Sequence, residues 1–123
     1  MTVDEKRKML ARIEANKIKK ILSEEISQIR HVKDWAEFAN CSTTKLNKTV
    51  KIHFGISAKK MMKEVRFISI KTVLSNAPYC GSYNLAQISG LSNEQELYKF
   101  LKINFNTTYT DLKYEILINR MYI

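Results

Sequence analysis

Lysine side chains recur at matching positions in two stretches of the sequence: Lys48 and Lys51 in the first, Lys99 and Lys102 in the second. The lysine ammonium group is a compact positive charge that pairs readily with phosphate. The chain of 123 residues has 21 Lys and Arg against 12 Asp and Glu, a net charge of +9 at pH 7. Because a basic surface releases the counterions condensed on a polyanion, nucleic acid is the first partner to consider. The alternative is that this charge only keeps the protein soluble.

No pattern in the sequence indicates a metal site or an enzyme. Cys41 and Cys80 form neither a CxxC pair nor part of a Cys/His array, and His31 and His53 lack partners at ligand spacing. We therefore predict two reduced thiols and no cofactor. The sequence also lacks a glycine-rich phosphate loop and any recognisable set of nucleophile, base and orienting group. We predict that the protein is not an enzyme.

The composition favours an all-α fold. Hydrophobic residues make up 45% of the chain, and one Pro and three Gly leave few breaks in its helices. The length suits one compact domain or two small helical lobes. No apolar run is as long as a membrane span, and the basic N-terminus lacks the apolar segment of a signal peptide. We therefore expect a cytoplasmic protein with no membrane partner.

The stretch from Trp35 to Phe54 has the pattern of two short helices joined by a tight turn. Ala36 is small enough for two helices to cross closely, Asn40 tolerates a left-handed turn conformation, and Ser42 can cap the next helix. The second of these helices has apolar residues every four positions, at Leu46, Val50 and Phe54. This pattern predicts a helix-turn-helix motif.

The same pattern returns later in the chain. Ala86, Gly90 and Ser92 stand where the first motif has its small residue, its left-handed residue and its cap. After one extra residue the second helices match in step, at Leu97, Lys99, Lys102, Ile103 and Phe105. Ser92 with Gln95 predicts a capping box for this helix. Two copies in register are stronger evidence than one, and they predict a second helix-turn-helix motif.

Residues 2–28 are predicted to form a long first helix, capped by Thr2 with Glu5. One face is apolar and the other is basic, with Lys6, Arg7, Lys8, Arg12, Lys17, Lys19 and Lys20. Three interpretations are open. We favour packing of the C-terminal half on the first motif, with the N-terminal half as a solvated basic extension. The others are a contact with a partner or second copy, and a position on a membrane surface, which the absence of Trp and Phe disfavours.

A linking helix is predicted over residues 58–75, capped by Ser57 and apolar around so much of its circumference that several sides must be buried. Arg66, an isolated charge in this apolar stretch, either pairs within the core, which we favour, or reaches a phosphate. Thr108 with Asp111 then predicts the start of a last helix.

Residues from about 30 to 118 resemble the DNA-binding domain of the AraC/XylS family of bacterial transcription regulators. The resemblance rests on three segments in the family's order and spacing: WAEFANCSTTKLNKTVKIHFGIS, KKMMKEVRFISIKTVLSN and LAQISGLSNEQELYKFLKINFNTTYTDLKYE. It implies about seven helices, with two homeodomain-like helix-turn-helix lobes that enter adjacent major grooves. The implied division is an amphipathic basic helix at 1–29, helix-turn-helix motifs at 32–54 and 83–105, a linking helix at 58–75, a C-terminal helix at 109–118 and a tail at 119–123.

The resemblance also assigns DNA contacts by position. Base contacts would fall to Thr44, Asn47 and Lys48 in the first lobe and to Glu94, Gln95, Tyr98 and Lys99 in the second, with Glu96 close by. Contacts to phosphate would fall to Lys45, Lys51 and Lys102. Asn and Gln can bond adenine bidentately, Lys can reach guanine, Thr can meet the thymine methyl, and Glu can accept from cytosine. The implied function is a sequence-specific double-stranded DNA-binding regulator, an activator rather than a repressor, that holds RNA polymerase near a promoter.

The chain departs from the family pattern at several positions. Ala58 and Tyr109 stand where the family usually has Pro, and Ile70 stands where a small residue is common. Glu94 and Glu96 place two carboxylates near the DNA face, where they repel phosphate, so the second lobe would bind more loosely. They also favour a rival hypothesis, a protein-interaction module that binds another regulator or itself through the first helix. The matching lysines and the net charge oppose that rival.

Overall fold

A computed structural model of the protein describes residues 1–121, which contain seven α-helices, one short 3-10 helix and no β-strand. The helices are α1 (Val3–Glu24), α2 (Val32–Phe38), α3 (Thr43–Phe54), α4 (Ala58–Asn76), α5 (Ser82–Ile88), α6 (Glu94–Phe105) and α7 (Tyr109–Met121), with the 3-10 helix at Ile26–Gln28. The prediction of an all-α fold with two helix-turn-helix motifs, α2–α3 and α5–α6, is confirmed. The chain divides into two compact units, and the boundary between Met62 and Lys63 falls within α4.

In the first unit, α1, α2 and α3 pack against one another. Trp35 of α2 is fully buried, and its indole Nε1 donates a hydrogen bond of 2.9 Å to the carbonyl oxygen of Ile18 in α1. The residues of α1 that are buried lie in its C-terminal half, at Ala15, Ile18 and Leu22, whereas residues 1–10 are all exposed. The favoured interpretation of the first helix is therefore confirmed for its packing.

The first helix is shorter than predicted, because α1 ends at Glu24 and a 3-10 turn follows at Ile26–Gln28. The last turn of α1 contains no basic residue. The carboxylates of Glu24 and Glu25 stand at the end of the helix where the macrodipole is negative, and this disfavours a further α-helical turn. Ile26, the first residue of the 3-10 turn, and Ile29, the residue after it, are nevertheless buried, so the turn closes over the core of the first unit.

The turn of the first motif has the geometry that its residue types predict. Asn40 adopts the left-handed conformation with φ 55°, and the hydroxyl of Ser42 accepts a hydrogen bond of 3.1 Å from the backbone N–H of Lys45. Leu46 and Val50 are fully buried on the inner face of α3. Because this side of α3 is buried, the opposite side of the helix faces solvent.

In the second unit, α4 to α7 surround a core that includes Ile70, Leu74, Leu85, Ala86, Leu97, Leu101 and Leu112. Gly90 takes the left-handed conformation at the turn, with φ 80°. Arg66 is 4% exposed, and its Nη1 donates a hydrogen bond of 2.7 Å to the carbonyl oxygen of Ser89 at the end of α5. Arg66 thus ties α4 to the turn of the second motif, as the favoured structural interpretation predicts, and its burial excludes a phosphate contact.

Serine and threonine side chains cap the starts of α4 and α7. The hydroxyl of Ser57 accepts from the N–H of Lys60 and that of Thr108 accepts from the N–H of Asp111, each at 3.1 Å. The last helix runs to Met121, three residues beyond its predicted end. The remainder of the predicted tail, Tyr122 and Ile123, lies outside the described residues. Over residues 1–121, no helix combines the length and the apolar character that a bilayer crossing requires.

Candidate nucleic-acid interface

The outer face of α3 carries the polar residues that the family resemblance assigns to the first lobe. Thr44, Asn47, Lys48 and Lys51 are all exposed. They are separated by three or four residues, so they lie on one side of the helix, away from its buried side. The structure therefore brings together the predicted base contacts of the first lobe and one predicted phosphate contact.

Lys45, another predicted phosphate contact, already has a partner within the chain. Its Nζ lies 2.9 Å from Oε1 of Glu14 in α1, and both side chains remain about half exposed. The hydrogen bond from Lys45 and its positive charge lower the pKa of the Glu14 carboxyl. The same hydrogen bond and the negative charge of Glu14 raise the pKa of Lys45. Sequence reasoning missed this pair, because no spacing rule connects residues on two helices that are far apart in the chain.

The outer face of α6 holds the corresponding residues of the second lobe. Glu94, Gln95, Tyr98 and Lys99 line one open depression at the surface. Tyr98 is 56% exposed, so its phenol ring is available to a ligand as well as to solvent. Lys102 is exposed one turn further along the same helix. The four predicted base contacts of the second lobe thus form one continuous surface.

The predicted capping box of α6 is wrong by one residue. Asn93, not Ser92, is the N-cap, and its Oδ1 accepts a hydrogen bond of 2.9 Å from the N–H of Glu96. The Glu96 carboxylate in turn accepts a hydrogen bond of 2.7 Å from the N–H of Ser92. The physical reason is the extra residue in this turn, which moves the capping position and places Glu96 rather than Gln95 at the third position of the helix. Glu96 is therefore engaged at the start of α6, and Glu94 is the carboxylate that remains among the predicted base contacts.

The two candidate faces differ in charge. Helix α3 contains three lysines and no acidic residue, whereas α6 contains two lysines and two glutamates. The two units differ in net charge in the same direction. Residues 1–62 contain fourteen Lys and Arg and seven Asp and Glu, a net charge of +7. Residues 63–123 contain seven Lys and Arg and five Asp and Glu, a net charge of +2. A polyanion is consequently attracted more strongly to the first unit.

A second group of basic residues lies in a depression between α1 and α3. It is lined by Lys8, Met9, Arg12 and His53. The sequence shows Lys8 and Arg12 one turn apart on the first helix but gives no sign that His53 joins them. Among the described residues, no group of three or more His, Cys, Asp and Glu side chains could hold a metal ion, and Cys41 and Cys80 are free thiols.

Comparison with known proteins found no matching family model and no matching curated protein. Among solved structures, the chain is similar to the C-terminal domain of AraT, a response regulator from Geobacillus stearothermophilus, with a TM-score of 0.71. The two are 16% identical in sequence, over 83% of this chain and 84% of that one. At this identity the likeness concerns the fold. The chain has an all-α fold with two helix-turn-helix motifs, shared with the C-terminal domain of that regulator.

Proposed function

We propose that the protein is a sequence-specific double-stranded DNA-binding transcription regulator that reads DNA with α3 and α6. The observation that carries this proposal is the recurrence of one pair of exposed lysines at matching positions of two helix-turn-helix motifs. Lys48 and Lys51 on α3 correspond in step to Lys99 and Lys102 on α6, and all four are exposed. A helix presented in this way can enter a major groove and reach base edges.

The chemistry of each face suits a division between bases and phosphates. On α3, Asn47 can bond adenine, Lys48 can reach guanine, and the methyl group of Thr44 can meet that of thymine. On α6, Gln95 and Lys99 supply the same two polar contacts, Glu94 can accept from cytosine, and Tyr98 can stack or donate. Lys51 and Lys102, further along each helix, contact phosphates, which position the protein without specifying sequence.

Two further observations support a role in regulation. The chain shares its fold with the C-terminal domain of a response regulator. Three of its segments also resemble the DNA-binding domain of the AraC/XylS transcription regulators. We propose activation through RNA polymerase held near a promoter, and each helix-turn-helix unit would read one half-site.

The proposal is tested by selecting duplexes from a random pool with the purified protein and measuring their binding by fluorescence anisotropy at low and physiological salt. We expect enrichment of a duplex with two half-sites about one helical turn apart. Lys48→Ala should relax sequence preference with a loss of about 1–3 kcal/mol on the selected duplex. Lys51→Ala should instead weaken binding to all duplexes alike.

Lys17→Ala is the matched control, since it removes one exposed positive charge from α1 and leaves both candidate faces intact. Equal losses for Lys48→Ala and Lys51→Ala on every duplex would contradict the contact assignment. A pool that enriches nothing at physiological salt would contradict the proposed function itself.

A protein-interaction module is the second candidate, because α1 presents apolar side chains to solvent. Leu10 is 66% exposed and Ile13 is 45% exposed on a helix whose later residues Ala15, Ile18 and Leu22 are buried. On this hypothesis the helix pairs with a second copy or another regulator. Sedimentation of the purified chain without DNA distinguishes it, since a dimer that Leu10→Glu dissociates would support this candidate and a monomer would count against self-association.

A further inference from the structure

The ion pair between Glu14 and Lys45 joins the first helix to the proposed reading helix. Lys45 lies in the first turn of α3, three residues before Lys48, so the two side chains are neighbours on the helix surface. The N-terminal turn of a helix also favours anions through its free N–H groups and its dipole. By position and charge Lys45 is therefore suited to a phosphate, yet its Nζ lies 2.9 Å from the Glu14 carboxylate.

We infer that Glu14 withholds Lys45 from DNA and thereby sets the number of phosphate contacts that the first unit makes. This inference rests on the proposed function. Glu14 acts as a positioning residue, because it touches Lys45 rather than the DNA. The chain thus limits the sequence-independent part of its own affinity, while Asn47 and Lys48 on the same face remain available to bases.

Glu14 competes with phosphate for Lys45, and replacing it should change the folding stability of the protein little. Both side chains are about half exposed, and exposed ion pairs contribute little to folding stability. Helix α1 is anchored in the first unit by buried residues such as Ala15, Ile18 and Leu22. Glu14→Gln should therefore free the Lys45 ammonium group and leave α1 in place.

The salt dependence of DNA binding measures the number of phosphate contacts. Each neutralised phosphate adds about 0.9 to the slope of log K against log salt concentration. We expect Glu14→Gln to steepen this slope by about 0.9 on the duplex enriched from the random pool, with an affinity gain of a few-fold at low salt. Lys45→Gln should leave the slope of the unaltered protein unchanged, and the double variant should return to that same slope.

Glu24→Gln is the matched control. It removes the same charge from α1 and also breaks an ion pair, since Oε1 of Glu24 lies 3.7 Å from Nζ of Lys20. A slope that steepens equally with Glu24→Gln would overturn the inference, because the effect would then be one of net charge. A slope that flattens by about 0.9 with Lys45→Gln alone would also overturn it, since Lys45 would then leave Glu14 for the phosphate.

A double variant that stays steeper than Lys45→Gln would overturn the inference in a third way, by showing that Glu14 repels the phosphate itself. These results differ from a failure of the proposed function, in which the unaltered protein would enrich no duplex. Circular dichroism of each variant verifies that the helices are retained.

Discussion

The two helix-turn-helix motifs of this chain agree in their buried residues and turns but differ in their surfaces. Leu46 in α3 and Leu97 in α6 occupy equivalent positions, and both are almost completely buried. Asn40 and Gly90 both adopt the left-handed conformation at the turn. The charged residues, in contrast, differ: α3 contains three lysines and no acidic residue, whereas α6 contains two lysines and two glutamates.

The third residue of α3 and the third residue of α6 show how the two surfaces differ. In α3 this residue is Lys45, which pairs with Glu14 of α1. In α6 it is Glu96, whose carboxylate accepts from the N–H of Ser92 at the start of its own helix. In the first motif the charged side chain therefore forms an ion pair with another helix, whereas in the second it accepts a capping hydrogen bond at the start of its own helix. The comparison teaches that packing fixes the fold of a unit, whereas polar contacts decide what its surface offers to a ligand.

The C-terminal ends of α3 and α6 also differ in the partner of an equivalent phenylalanine. The Phe105 ring of α6 stacks on that of Phe67 in α4, with 3.8 Å between centroids and 12° between the planes. Phe54, at the equivalent position of α3, lies beneath the ammonium group of Lys19, 5.4 Å from its ring centroid. An aromatic residue at one position thus meets an apolar partner in one unit and a cation in the other.

If packing is the shared part of the comparison, equivalent core substitutions should have equal effects. Leu46→Ala and Leu97→Ala each remove a fully enclosed side chain, and each should lower the free energy of unfolding by about 2–5 kcal/mol. Urea unfolding followed by circular dichroism measures both, and Trp35 fluorescence reports the first unit separately. Leu10→Ala, at a 66% exposed position, is the control and should cost far less. A cost for one leucine more than twice that for the other would show that the cores are not equivalent.

If the surfaces are the divergent part, equivalent charge reversals should have unequal effects on DNA binding. Lys48→Glu with Lys51→Glu reverses the charge of a face with no acid, and affinity for the selected duplex should fall by about 100-fold or more. Lys99→Glu with Lys102→Glu acts on a face that already contains carboxylates and should cost about 10-fold or less. Anisotropy titrations at physiological salt measure both losses. Equal losses would show that both units contribute alike, despite their net charges.

The features that could be predicted from the sequence are those that depend on the local chemistry of one or a few neighbouring residues. The apolar period of four that includes Leu46 and Val50 predicted the buried side of α3, because a helix places such residues on one face. Asn40 and Gly90 predicted the left-handed turn positions, because few other residues adopt positive φ without strain. Ser57 and Thr108 predicted the starts of α4 and α7, because a capping hydroxyl accepts a hydrogen bond from a backbone N–H only three residues away.

Features that the sequence could not predict depend on residues far apart or on competition between similar ones. Ser92 and Asn93 can both cap a helix, and only the geometry of the lengthened turn selects Asn93. The pairing of Glu14 with Lys45 depends on how α1 crosses α3, which no periodicity encodes. The location of His53 beside Lys8 depends on the same crossing.

The two first helices of the motifs also begin differently, and this difference predicts a dependence on pH that arises in the first unit. In the first turn of α2, the Asp34 carboxylate accepts hydrogen bonds of 3.0 Å from the N–H groups of Arg30 and His31, which precede the helix. These bonds lower the pKa of Asp34 below its ordinary value. In α5 the residue at the same third position is Asn84, which carries no carboxylate, and the N-cap Gly81 makes no side-chain capping bond.

Because the pKa of Asp34 is lower in the folded protein than in the unfolded chain, its contribution to stability is present at pH values above about 4. The contribution is lost as the pH falls through the folded pKa. Asp34→Asn should therefore destabilise the first unit by about 1 kcal/mol at pH 7, and the difference should narrow steadily below pH 4. Urea midpoints from Trp35 fluorescence at pH 7 and pH 3 measure this narrowing, with Asp111→Asn in the first turn of α7 as the charge-matched control. A difference that stays constant between the two pH values would show that Asp34 acts through its shape and not through its charge, and the asymmetry between the two motifs would then not extend to their helix starts.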